Sequence, residues 1–250
     1  MSYATTLSSA RPSWNAALKE LLPPILWARL YQAVVVKDVP DGALYQPMFS
    51  PWLSANFQAI FKQIMGRTEV SADRCWTLYQ LIRQSLNVPG EVLEAGVYRG
   101  GTAKLLKCAL PMGGERKLML FDSFAGMKTV SDDLDRHREG DFADTSLESV
   151  SDFVGHESFV EYFKGWIPET FSGLEERRFC FAHIDLDLYG SILDCLAFVY
   201  PRLSPGGTIV FDDYGFASCP GARRAVETFF AHKPEHPLAL MTGQAIVFKL

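Results

Sequence analysis

The spacing of apolar residues changes character near residue 89. Before it, apolar positions recur at helical intervals. Phe57, Ile60, Phe61 and Ile64 share one face over 55–65, and Trp76, Tyr79, Ile82 and Leu86 share one over 74–86, with Ser71 just ahead. After it come short apolar runs of strand character at 90–94, 117–124, 159–166, 182–189, 208–214 and 244–249. Helical stretches stand between them at 103–110, 146–153, 191–200 and 221–230, the second with Ser146 as N-cap. Strand and helix in alternation predict an α/β core over 89–250. Residues 1–88 are expected to form an N-terminal helical extension that covers a substrate cleft, builds an oligomer interface or pads the sheet. Within it, 34–36 reads as a short strand, 40–42 as a turn and 45–52 as an irregular aromatic segment.

Two of the apolar runs end in paired carboxylates, Asp185 with Asp187 and Asp212 with Asp213. Side chains alternate along a strand, so Asp185 and Asp187 are expected to point the same way. The helix between the runs and the turn at Pro205-Gly206-Gly207 complete a βαβ unit, whose strands lie parallel and near each other. Up to four carboxylates then crowd the C-terminal edge of the sheet, where open α/β folds place ligands. Such charges repel unless protons or a cation intervene. One pair alone would read as a cap of the following turn; two pairs on successive strands point to a site.

A second candidate site begins at Glu94. The run Glu94-Ala95-Gly96-Val97-Tyr98-Arg99-Gly100-Gly101-Thr102 reads as a strand end, a glycine turn and a helix start, where backbone can approach a ligand. Tyr98 stands where the dinucleotide fingerprint needs its second glycine, and no G-K-[ST] follows. Glu94 would repel a pyrophosphate but suits a cationic amino group. Asp122, followed by Ser123 and Phe124, stands where an acid bonds ribose hydroxyls. Either acid alone also reads as a solvated strand end; together they suggest a ligand with a ribose and an amino acid, such as S-adenosylmethionine. Gly165-Trp166 supplies a ring to stack on an adenine, or a core tryptophan.

Residues 126–156 are polar and charged and read as a solvated loop or, given their length, a mobile lid. His137 within it is a candidate for substrate contact. His183 reads as a satisfied histidine beneath the site, and Cys219 is given no catalytic role.

The net charge of −5, without a run of Lys and Arg, argues against nucleic-acid or anionic-membrane partners. Five cysteines without CxxC spacing argue for reduced thiols in a cytoplasm, and against a disulfide framework or a zinc site. No targeting signal is evident over 1–13, and the apolar stretch 21–36 is broken by Pro23, Pro24 and Arg29 and is too short to span a bilayer.

Taken in order, Glu94 to Gly101, Phe121-Asp122-Ser123-Phe124, Lys164-Gly165-Trp166, His183-Ile184-Asp185-Leu186-Asp187-Leu188-Tyr189, Phe211-Asp212-Asp213-Tyr214-Gly215 and Cys219-Pro220-Gly221-Ala222 resemble the macrocin O-methyltransferase family. That family comprises S-adenosylmethionine-dependent enzymes that methylate sugar hydroxyls on antibiotics and related natural products. The resemblance runs from about residue 43 to the C-terminus. It implies the Rossmann-like, doubly wound, mostly parallel sheet of class I methyltransferases. It implies that Asp185, Asp212 and Asp213 hold a divalent metal, commonly magnesium (Mg2+), and that Asp187 is the general base. Spacing alone leaves open which of Asp185 and Asp187 is ligand and which is base. Glu94, Gly96, Tyr98, Arg99, Gly100, Gly101, Thr102, Asp122, Ser123, Phe124, Gly165, Trp166 and Asp185 are the implied cofactor contacts. Oxygen ligands favour magnesium over zinc, and a metal draws a hydroxyl's pKa toward neutrality. The expected partner is a small-molecule hydroxyl acceptor, and the expected assembly a homo-oligomer. Two other readings are a glycosyltransferase that uses Asp185-x-Asp187 as its metal motif, and a non-catalytic protein that keeps the fold as a scaffold.

Overall fold

The computed structural model describes residue 26 and residues 51–250, apart from 112–115, 129 and 132. The expected strand at 34–36, the turn at 40–42 and nearly all of 21–36 and 45–52 lie outside the described residues. Pro51–Leu250 form one compact unit. Two helices come first, α1 (Ala55–Ile64) and α2 (Ala72–Ser85). Then follow β1 (Glu91–Ala95), α3 (Gly101–Ala109), β2 (Leu118–Asp122), α4 (Leu147–Val154), β3 (Val160–Lys164) and β4 (Phe179–Ile184). The chain closes with α5 (Tyr189–Val199), β5 (Leu203–Phe211), α6 (Pro220–Phe230), β6 (Leu238–Ala239) and β7 (Ala245–Phe248).

The strands form one sheet in the order β3-β2-β1-β4-β5-β7-β6. Strands β1 to β5 are mutually parallel, and β7 runs antiparallel beside β5. The order reverses between β1 and β4, the switch point at which doubly wound sheets open a crevice. Gly96 makes that crevice close-fitting. Its φ of 88° is a left-handed value, and a Cβ there would overlap the Asp185 carbonyl oxygen. The two-residue β6 has exposed side chains.

Apolar side chains cover both faces of the sheet. On one face α5 and α6 bring Ile192, Leu196, Val226 and Phe230 against Leu93, Ala182 and Ile209. On the other, α1 to α4 bring Phe57, Leu78, Ile82, Leu105 and Val150 against Val92, Phe181 and Val210. Each fully buried Val, Leu, Ile or Phe among them contributes roughly 1.5–3 kcal/mol. The compact unit therefore begins at Pro51 rather than at the expected boundary after residue 88. The apolar stripes of α1 and α2 are a layer of the core itself.

Two local expectations change. Strand β4 stops at Ile184, so Asp185 and Asp187 lie beyond it, and Asp187 has a left-handed φ of 57°. Strand alternation is therefore not what directs Asp187. Nor is the segment after Gly126 simply solvated: Asp135 is buried, with Oδ1 accepting from Tyr189 N at 2.9 Å and Oδ2 from Ser131 N at 2.9 Å. An aspartate at the first residue of α5 is also favoured by the helix dipole. Ser146 does cap α4, its Oγ accepting from Ser149 N at 3.1 Å.

Candidate active site

The segments that follow β1, β2, β4 and β5 line one cavity of about 550 Å³, within the range of small-molecule sites. Oxygen atoms of Asp185, Asp212 and Asp213 lie within 4.8 Å of one another in its wall. Asp212 is tied on both oxygens, by an ion pair with Arg74 of α2 and by Gln244 Nε2 at 2.8 Å. Burial, then the charges of Asp212 and Asp213, push the Asp185 carboxyl well above the usual range. Burial, then Asp187 and Asp212, do the same to Asp213. At Asp212 burial is outweighed by His183 and Arg74, which hold it below its ordinary value. The Asp213 Oδ2 atom is buried without a hydrogen-bond partner. An all-oxygen donor set with one orphaned carboxylate oxygen fits a hard divalent cation.

Beneath the cluster, neighbouring strands pair Glu94 with His183. Both are fully buried, with His183 Nδ1 2.9 Å from Glu94 Oε1 and Nε2 3.6 Å from Asp212 Oδ1. The second distance gives charge attraction without a full hydrogen bond. Burial alone would depress the imidazole, but Asp212 and Glu94 together raise it to about 10. Glu94 lies outside the cavity lining, one layer below it.

Asp187 lines the cavity beside two side chains from distant parts of the sequence. Its Oδ1 is 3.2 Å from Cys219 Sγ and 3.5 Å from His137 Nε2. Asp187, acting against burial and helped by Asp141, holds His137 above the ordinary imidazole range. Burial first, then Asp213 and Asp187, push the Cys219 thiol up.

On the β1–β2 side, Asp122 Oδ2 accepts from Val97 N and Tyr98 N, each at 2.7 Å, and Oδ1 from Phe124 N at 2.7 Å. These bonds fix the turn after β1 and aim a carboxylate at the cavity. Gly96, Tyr98, Thr102, Ser123, Gly165 and Trp166 also line it, whereas Arg99, Gly100, Gly101 and Phe124 lie outside its lining. Arg99 pairs with Asp144, and Gly101 lets α3 approach the backbone of Arg67, since a Cβ would sit 2.6 Å from the Arg67 oxygen. Trp166 is 41% exposed, with Lys128 Nζ 4.8 Å from its ring centroid. Arg74 and Gln244 are site residues that the sequence reading misses. Arg74 is a polar position on a helix legible only by its apolar face, and Gln244 stands just ahead of an edge-side strand.

Strand order, switch point and acid-lined cavity together define a class I, Rossmann-like O-methyltransferase fold. The solved structure of the O-methyltransferase NovP shares it, with a TM-score of 0.65 and 26% identity over 73% of this chain and 82% of that one. Residues 62–249 match the macrocin-O-methyltransferase (TylF) family, and the chain belongs to that family. Mycinamicin III 3''-O-methyltransferase of Micromonospora griseorubida is 31% identical over 66% of this chain and 70% of its own length. The 8-demethyl-8-(2,3-dimethoxy-alpha-L-rhamnosyl)-tetracenomycin-C 4'-O-methyltransferase of Streptomyces olivaceus is 34% identical over 54% of this chain. That match spans 57% of the relative's length. No helix among the described residues is long and apolar enough to cross a membrane.

Proposed function

We propose that this protein is an S-adenosylmethionine-dependent O-methyltransferase acting on a hydroxyl of a sugar or similar small natural-product acceptor. Asp185, Asp212 and Asp213 would hold a divalent cation, with magnesium favoured by their oxygen donors. The observation that carries the reading is the gathering of these three carboxylates and Asp187 beside one cavity at the sheet's switch point. Family membership supports the methyl donor. One relative is named for a rhamnosyl-bearing tetracenomycin, which supports a sugar acceptor. The glycosyltransferase reading of Asp185-x-Asp187 is left without support, and no observation favours a scaffold.

The donor, when bound, presents a methyl group already activated on a sulfonium, and a bound cation lowers the pKa of a nearby hydroxyl. The chain's residues do the rest. Asp122 and Trp166 would hold the ribose and adenine ends of the donor, leaving the acceptor to the side lined by Asp187. Alignment of acceptor oxygen with methyl carbon supplies much of the acceleration. Asp187 receives the hydroxyl proton. A carboxylate is in general a weak base for an alcohol, whose hydroxyl is far less acidic than a carboxylic acid, so the place of Asp187 beside the acidic cluster is what makes it competent. Arg74 and His183 offset part of the charge on Asp212, and Glu94 orients His183. The same reading includes a homo-oligomer, supported by exposed Leu53 and Met65 flanking α1, and a cytoplasmic setting, supported by the free cysteines.

With S-adenosylmethionine and a rhamnosylated acceptor, mass spectrometry should detect a methylated product that needs magnesium and is lost in EDTA. Asp187→Asn should lower turnover about 10²–10⁴-fold while isothermal titration still records S-adenosylhomocysteine binding. Wild-type protein that takes up no S-adenosylhomocysteine would overturn the reading.

A further inference from the structure

Three different donor atoms meet at one point of the cavity wall. His137 comes from the segment between β2 and α4, Asp187 from the turn after β4, and Cys219 from the N-cap of α6. Cys219 Sγ is 3.2 Å from Asp187 Oδ1 and 3.5 Å from His137 Nε2, and His137 Nε2 is 3.5 Å from Asp187 Oδ1. A tetrahedral zinc with ordinary bonds to sulfur, nitrogen and oxygen has donor–donor edges of about 3.3–3.6 Å. The three atoms thus already stand close to the corners of one face of such a tetrahedron.

The other ring nitrogen of His137 supplies an independent sign. Nδ1 lies 3.3 Å from Asp141 Oδ2, an oxygen that also accepts from Arg138 N at 2.9 Å. Metal-binding histidines characteristically carry a carboxylate on the nitrogen that does not face the metal, which fixes the tautomer and leaves the other lone pair free. Sulfur and imidazole also separate this group chemically from the neighbouring Asp185, Asp212 and Asp213. That all-oxygen cluster suits magnesium, whereas a thiolate selects zinc and its kin. No CxxC spacing announces such a site, because each donor arrives from a separate segment.

We propose that His137, Asp187 and Cys219 form a second metal site, selective for zinc over magnesium, whose occupation withdraws Asp187 from methyl transfer. The site rests on geometry alone; the inhibition rests also on the reading of Asp187 as the base. Zinc binding would displace the thiol proton, leave the cavity side of the ion open to water, and bond the carboxylate that otherwise receives the acceptor's proton. Thiophilic metal would then act as an inhibitor in the presence of magnesium.

Cobalt(II) is the probe, because a cobalt–thiolate bond gives a near-ultraviolet charge-transfer band that oxygen ligands do not. Titration of metal-free protein with cobalt should raise this band with one equivalent bound. Cys219→Ser and His137→Gln should each abolish it, with circular dichroism confirming that both variants are folded. Asp141→Asn should keep the band but weaken cobalt binding about 10–100-fold. A missing band in the wild type, or one that survives Cys219→Ser, overturns the site. Zinc at the concentration that displaces cobalt should suppress methyl transfer in saturating magnesium, and Cys219→Ser should raise the half-inhibiting concentration at least about tenfold. A cobalt band lost in both variants together with zinc-insensitive turnover would leave the site standing and overturn Asp187 as the base.

Discussion

Arg74 and Asp212 form an ion pair with side chains only 11% and 1% exposed, at the edge of the acidic cluster. Removing one partner of a buried pair leaves the other uncompensated, at a cost of about 3–5 kcal/mol. Here the stranded charge would face Asp185 and Asp213, both already pushed up by burial and by the charges of neighbouring aspartates, Asp212 among them. Arg74→Gln is therefore expected to lower the melting temperature of metal-free protein. Magnesium should recover part of that loss, because a bound cation replaces the missing positive charge. Differential scanning fluorimetry in EDTA and in magnesium reads both effects. A deficit that magnesium leaves untouched would count against Asp185, Asp212 and Asp213 as a cation site.

The C-terminal strand is held by one buried acid. Glu235, just before β6, accepts from Tyr200 Oη at 2.6 Å and from Leu250 N at 3.2 Å, with Lys249 Nζ at 3.4 Å. Burial pushes this carboxyl up, but those bonds and the ammonium outweigh it and hold the pKa below its ordinary value of 4.5. A depressed folded-state pKa contributes stability that is fully present above the unfolded value and is lost as pH falls through the folded one. Glu235→Gln should thus lower the melting temperature at pH about 7, with the gap to wild type closing below pH about 4. Thermal melts across that range test it; a gap that stays constant would show that the ionised carboxylate does not tie β7 down. The same element matters for the site, since Gln244 immediately before β7 bonds Asp212.

Across the whole compact unit, α1 and α2 close one face of the sheet over Val92, Phe181 and Val210. A fragment of residues 89–250 would expose that face. It is expected to bind a hydrophobic dye and to lose a cooperative melt, whereas a fragment that melts sharply would restore the boundary after residue 88. Much of this architecture is legible in the chain, because apolar periodicity is local: the helices from 55–65 onward and the strands from 90–94 to 244–249 announce themselves within a few residues. The acidic strand ends are legible for the same reason, each being an apolar run with charge at its close. Contacts across the fold are not. Arg74 meets Asp212 over 138 positions, and Cys219 meets His137 over 82, and no local pattern encodes such distances. Glu94 reads as a strand end in sequence, and only the strand pairing shows that it is buried against His183. The sequence by itself determined the alternation of elements, the acidic cluster and the glycine turn, since each is a matter of neighbours along the chain. Only the tertiary structure decided which helices belong to the core, that Asp187 reaches the cavity through a left-handed turn, and that a histidine and a cysteine meet it there. Those outcomes depend on which distant backbones pack together.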